Sequence, residues 1–280
     1  MSSNKYLIPH VNRGYRPKYN TIDTLKSVFE IHNETINIWT SLLPLIYIFI
    51  QFFQKVDITK LSIDNFFDKH QFILIFGNIS GLSATIASTW AHTFHTSDIK
   101  FNYPWIIDFI GISNALFLAG VASIWYVFDE VSAFKYLYLI TTSIIYYNNI
   151  SKGINDHIKH CDDVKSYPIV NFPEFRKTFC MTIIYGWIIP WTYGYLYGNE
   201  FESKVFANLF YAPLSLIIGA FFLITEIPEK FYPGRFDIIG QSHQLWHIGA
   251  GYCTLICCYY GIELFNYGNS DILSNRLDFV

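Results

Sequence analysis

Seven stretches of the chain are predominantly apolar, near residues 37–54, 71–93, 104–127, 132–150, 178–197, 205–225 and 241–262, and polar residues gather between them. Each has about the 17–25 residues that an α-helix needs to cross a hydrocarbon core of about 30 Å. In lipid the backbone must satisfy its own N–H and C=O groups, and a helix does so within one segment. The pattern predicts an all-α membrane protein, a seven-transmembrane helix bundle. The fourth stretch is the weakest, because Lys135 and the polar cluster from Thr141 to Asn149 shorten its apolar part. Connections are short except for Ser151–Lys177, which carries Asp156, Asp162, Asp163, Pro168 and Pro173 and reads as a loop, with room for a helical turn. The expected organisation is a polar cytoplasmic N-terminal tail over 1–30, the seven-transmembrane domain over 31–265 and a short C-terminal tail over 266–280. Met1 to Glu30 lacks the apolar core and small-residue cleavage site of a signal peptide, so the first apolar run is expected to stay in the mature chain.

Composition supports the membrane reading: 52% of the 280 residues are hydrophobic and 15% charged, against roughly 25% charged in soluble domains. The 19% aromatic content suits helices with rings at the headgroup level. A net charge of -3 leaves no basic surplus for phosphates, which excludes nucleic acid as a partner. Of the five cysteines, Cys180, Cys253, Cys257 and Cys258 lie in apolar stretches and Cys161 in a polar loop, so no disulfide framework is readable. Lys and Arg number thirteen in the connections on the N-terminal side of the membrane and six in the alternate set. Positive residues are retained in the cytosol, so the N-terminus is expected there and the C-terminus outside or in a lumen. That is the reverse of a G-protein-coupled receptor, and no G-protein coupling is expected.

The candidate chemistry lies in a few ionisable residues. Asp108 is the only acid within the seven stretches, and a carboxylate at a helix centre costs at least about 2.5–3.5 kcal/mol. His243 and His247 are four residues apart, which puts both imidazoles on one helix face. His92 closes the second stretch. With the N-terminus inside, His92, Asp108, His243 and His247 all fall at the inner end of their helices, at one depth. Three imidazoles and a carboxylate suit zinc, whereas Ca²⁺ and Mg²⁺ prefer oxygen cages. Three histidine ligands leave a position for water, with Asp108 either a fourth ligand or the base that deprotonates that water; a structural four-ligand site is the alternative. Ser88, one turn before His92, is placed to hydrogen-bond the water or a substrate carbonyl, or else the helix carbonyl four residues back. His95 is a second candidate in place of His92. His157, His160 and Cys161 in the long loop have metal-binding types but read as solvated.

These residues sit in longer matching stretches: His32-Asn33-Glu34-Thr35-Ile36-Asn37-Ile38-Trp39-Thr40, Ser88-x-x-x-His92, Asp108-Phe109-Ile110-Gly111-Ile112-Ser113, and Phe231 to Asp237 running into Gln241-Ser242-His243-Gln244-Leu245-Trp246-His247. Taken in order, they make the chain similar to the progestin and adiponectin receptor family, which takes in bacterial hemolysin-III-like proteins and fungal members linked to zinc and lipid homeostasis. The resemblance implies a seven-helix bundle with a cytoplasmic N-terminus. It also implies zinc held by His92, His243 and His247, with Asp108 acting through water. It implies further a relationship to alkaline ceramidases, hence a zinc-dependent hydrolase acting on a ceramide or sphingolipid-like membrane lipid. A receptor for an extracellular protein or small ligand, with structural zinc, is the competing expectation; an ion transporter fits less well because the polar groups gather at one end. Thr93 to Ser97 is shorter than the corresponding segment of many animal members. Glu34 and Asn37 read as residues that cap the first helix and bond neighbouring spans. The expected location is the plasma membrane or the endoplasmic reticulum.

Overall fold

The computed structural model describes residues 8–95, 103–129, 132–159 and 179–277. Its long rods are α-helices. A short α1 (Thr21–Lys26) precedes α2 (Thr35–Lys55), α3 (Lys69–Phe94), α4 (Tyr103–Val127) and α5 (Ser132–Lys159). A sixth rod, α6, covers 179–197; α7 (Glu200–Leu209) and α8 (Tyr211–Thr225) form a nearly continuous seventh element before α9 (Ser242–Leu277). Five of these rods, Thr35–Lys55, Lys69–Phe94, Pro104–Val127, Glu200–Thr225 and Ser242–Ser270, are long and apolar enough to cross a membrane. Leu43, Ile50 and Phe53 on α2 and Ile217 and Phe221 on α8 point outward, as a hydrocarbon solvent requires. The chain is a multi-pass integral membrane protein.

Local chemistry sets where the helices begin and bend. Asp68 accepts from the N–H groups of His70 and Gln71 at 3.1 and 3.0 Å and so starts α3. Asn199 and Glu202 form a reciprocal capping box at the head of α7. In α6, Pro190 has no N–H to return to the carbonyl of Gly186, and the helix widens into a π-turn over Ile184–Ile188 just ahead of it. There the indoles of Trp187 and Trp191 stack and donate to Leu116 O and Ser123 Oγ on α4.

The predicted stretches correspond to the observed rods, but the helices outrun the apolar runs. α5 continues to Lys159 and α9 to Leu277. Hydropathy reports which residues can be immersed in lipid, whereas the i to i−4 ladder continues wherever no proline or cap stops it. Lys135, which shortens the fourth apolar run, is buried at the start of α5: its Nζ lies 3.1 Å from Asp129 Oδ1 and 4.2 Å from the centre of the Trp125 ring.

Helix α3 packs against α4, α2 and α9, and α9 packs against α8, α3 and α2. Small residues allow the close approach that membrane helices need. Gly111 on α4 faces the carbonyl of Ser83, and Ser83 Oγ donates to Gly111 O at 3.2 Å. Gly249 on α9 meets Ser215 on α8 in the same way, with Ser215 Oγ donating to Gly249 O at 3.0 Å. Residues 8–34 lie against the end of the bundle where α3 finishes and α9 starts, with Asn12 N–H donating to Asp237 Oδ1 at 2.9 Å.

A candidate metal centre

Three histidines from two helices meet inside this end of the bundle. The Nε2 atom of His92, on the last turn of α3, lies 3.4 Å from Nε2 of His243 and 3.0 Å from Nε2 of His247; the latter two are 3.1 Å apart. All three side chains are buried. The arrangement could hold a metal ion. The fold brings together the three residues expected as ligands from positions 92, 243 and 247.

Donor chemistry tests whether a cation fits. Nδ1 of His92 faces Glu34 Oε2 at 2.8 Å, so its proton sits on Nδ1 and its Nε2 carries a bare lone pair. Nδ1 of His247 lies 3.0 Å from Ser41 Oγ. With Nε2 of all three rings directed at one another, a positive ion between them could accept a lone pair from each. Nitrogens bound tetrahedrally at 2.0–2.1 Å would stand about 3.3 Å apart, close to the observed 3.0–3.4 Å. Two carboxylates, Glu34 at 2% and Asp108 at 5% exposure, are buried beside the histidines, and a divalent cation would offset their charge.

Asp108 stands outside the three-histidine cluster. Ser88 hydrogen-bonds its carboxylate, and Oδ1 has no hydrogen-bond partner among the described residues. Ser41 Oγ lies 3.0 Å from Ser88 Oγ and 3.2 Å from Asn37 O. With its proton directed to Ser88, one chain of donors runs from His247 Nδ1 through Ser41 and Ser88 to Asp108.

The ends of the ligand-bearing helices are held by buried charges. Arg16 Nη2 donates to His92 O at 2.6 Å, and Nη1 to Thr93 O at 3.1 Å and Ser27 Oγ at 2.8 Å, so a cation sits at the negative end of α3. Glu229 accepts from Ser242 N–H at 2.8 Å and from Ser242 Oγ, an anion at the positive end of α9. Gly240, with φ +89, turns the chain into that helix. Both charges are one turn or less from the histidines.

His95, the second candidate, does not join the cluster. Its Nδ1 lies 3.1 Å from His92 O and 3.3 Å from Arg16 Nη2, and burial holds its ring down to about 3. His160 and Cys161 lie outside the described residues, as does the side chain of His157. Glu34 occupies the N-cap position of α2 but makes no cap bond there. Its carboxylate goes instead to His92 and to Asn37 Nδ2 at 2.7 Å. Ser41, Arg16 and Glu229 were not singled out by the sequence. The usable signal was a carboxylate immediately ahead of an apolar run, in Asn33-Glu34-Thr35.

Residues 29–259 match the family model described as haemolysin-III related. The chain belongs to that family. One relative is heptahelical transmembrane protein 3 of Arabidopsis thaliana, 27% identical over an alignment of 278 positions spanning 85% of this chain and 78% of the relative. Another is membrane progestin receptor gamma-B of Danio rerio, 26% identical over 85% of this chain and 72% of the relative. Membrane progestin receptor beta of Homo sapiens is 23% identical over 88% of this chain and 70% of the relative. The family is the one that the motifs around His92, Asp108 and His243 resemble.

Proposed function

We propose that this haemolysin-III-related protein is a zinc-dependent amidohydrolase that cleaves a ceramide-like lipid of the membrane in which it sits. The observation that carries the reading is the closure of three buried imidazole Nε2 atoms to within 3.4 Å of one another, with Asp108 and Ser88 adjacent. His92, His243 and His247 would hold the ion. When bound, zinc would supply Lewis acidity and a water of lowered pKa. Asp108 takes the proton of the attacking water at its free Oδ1 and passes it to the departing amine, while Ser88 holds the other side of the carboxylate. Water adds across the C–N bond, and the products are a fatty acid and a free amine. The low-dielectric surroundings strengthen these polar contacts, and a site enclosed by spanning helices suits a substrate that arrives from the bilayer.

The test uses purified protein in detergent, ceramide, and fatty acid release as the readout. Asp108→Ala is expected to keep its zinc and lose turnover by at least about 100-fold, whereas His243→Ala loses the zinc as well. Wild-type protein that binds zinc stoichiometrically but never releases fatty acid would sink the enzyme reading. One observation favours a second reading, a ligand-binding receptor in which zinc is structural: several relatives are named membrane progestin receptors. Ligand binding that persists in Asp108→Ala but not in His243→Ala would support it.

A further inference from the structure

His92 and His247 are both braced at Nδ1 from α2, a helix that supplies no ligand. Glu34, at its N-cap, accepts from His92 Nδ1 at 2.8 Å, and is itself held by Asn37 Nδ2 at 2.7 Å. Ser41, two turns further on, meets His247 Nδ1 at 3.0 Å and reaches Ser88 Oγ at 3.0 Å. The two braces act on ligands from different helices, His92 on α3 and His247 on α9. Each contact places the imidazole proton on Nδ1, which leaves Nε2 bare and fixes the plane of the ring. Glu34 brings a full negative charge, and Ser41 brings an oriented dipole that continues through Ser88 toward Asp108.

We infer that α2 is the positioning element of the metal centre: Glu34 and Ser41 set the tautomer and orientation of His92 and His247, and Glu34 supplies one of the two buried charges that a divalent ion offsets. This rests on the metal reading above. Partners that hold metal-bound histidines are typically worth 10- to 100-fold in affinity, because they fix the basic tautomer before the ion arrives.

The measurement is Zn²⁺ affinity, with the visible spectrum of the Co²⁺ form, on full-length Glu34→Gln and Ser41→Ala in detergent. Glu34→Gln is expected to bind about 10- to 100-fold more weakly and Ser41→Ala roughly 10-fold more weakly, each with a shifted Co²⁺ spectrum. Metal-free thermal stability should be no lower in Glu34→Gln, since the change removes a buried charge that lacks its counter-ion. A merely structural role would lower that stability and leave the spectrum alone. Unchanged affinity and spectrum in either variant, with wild-type protein that binds, overturns the inference while the metal reading stands. Wild-type protein that binds neither Zn²⁺ nor Co²⁺ removes the metal reading and this inference with it. If Glu34→Gln is not monodisperse, Ser41→Ala together with Asn37→Ala, which loosens Glu34 without altering charge, decides by the same two readouts.

Discussion

The ring of His32 is in contact with Ser27 O through Nε2 at 2.9 Å, and its Nδ1 accepts the backbone N–H of Glu34 at 3.1 Å. It is therefore built to be neutral, and burial, followed by the nearby Arg16 guanidinium, lowers it from its ordinary 6.5 to about 4. The folded pKa lies below the unfolded one, so the contribution to stability is fully present above pH 6.5 and drains away as pH falls through 4. Protonation would also break the bond to Glu34 N–H, next to the residue that braces His92. The expected outcome is a Tm in detergent that drops between pH 6.5 and 4 in the wild type and drops less steeply in His32→Gln, as thermal unfolding across that range would record. At this scale the sequence carried part of the site. The four-residue spacing of His243 and His247 needs only helix geometry, and Asp108 announces itself by its cost in an apolar run. Glu34 stands out only as a carboxylate ahead of an apolar run and Ser41 not at all, because their partners are 58 and 206 residues away. Such contacts exist only once α2, α3 and α9 are packed.

Between elements, the close approach of α4 to α3 connects Asp108 to Ser88. A Cβ at Gly111, one turn after Asp108, would come within 2.7 Å of the Ser83 carbonyl and closer still to Ala87 Cβ. A backbone carbonyl cannot swing aside as a flexible side chain does. Gly111→Leu should therefore push α4 off α3, at a cost of about 1–3 kcal/mol for overpacking. The histidines are on α3 and α9, so the variant is expected to retain its metal while turnover falls, the reverse of His243→Ala. Metal content by elemental analysis beside fatty acid release separates the two. Elements were the most legible part of the chain, since an apolar run long enough to span leaves little freedom but a helix. Their ends were less so. The segment after residue 150 is charged and reads as loop with room for a helical turn, and α5 carries the helical ladder on to Lys159. The π-turn of α6 was foreshadowed only by Pro190.

For the whole molecule, the bundle gathers its three clustered histidines, the buried Glu34 and Asp108 and the described N-terminal segment at one end, and the charge balance of the loops predicts which side of the membrane that end faces. By sequence, thirteen Lys and Arg fall in the connections expected on the N-terminal side against six in the alternate set, a bias that predicts orientation because positive residues resist translocation. That argument predicts that Arg16, Glu34 and the three histidines sit at the cytosolic face and that the connection between α2 and α3, from Val56 to Asp68, faces outside. Thr21 and Asn65 are both exposed, one at each end, and replacing them leaves every Lys and Arg in place. In a chain freed of its native cysteines, Thr21→Cys should react with an impermeant maleimide only after the membrane is opened, and Asn65→Cys should react in sealed, right-side-out vesicles. The reverse pattern would turn the metal centre to the outer face. A lipid substrate would then have to be drawn from the other leaflet, so the labelling experiment decides which pool of lipid the proposed hydrolase can reach.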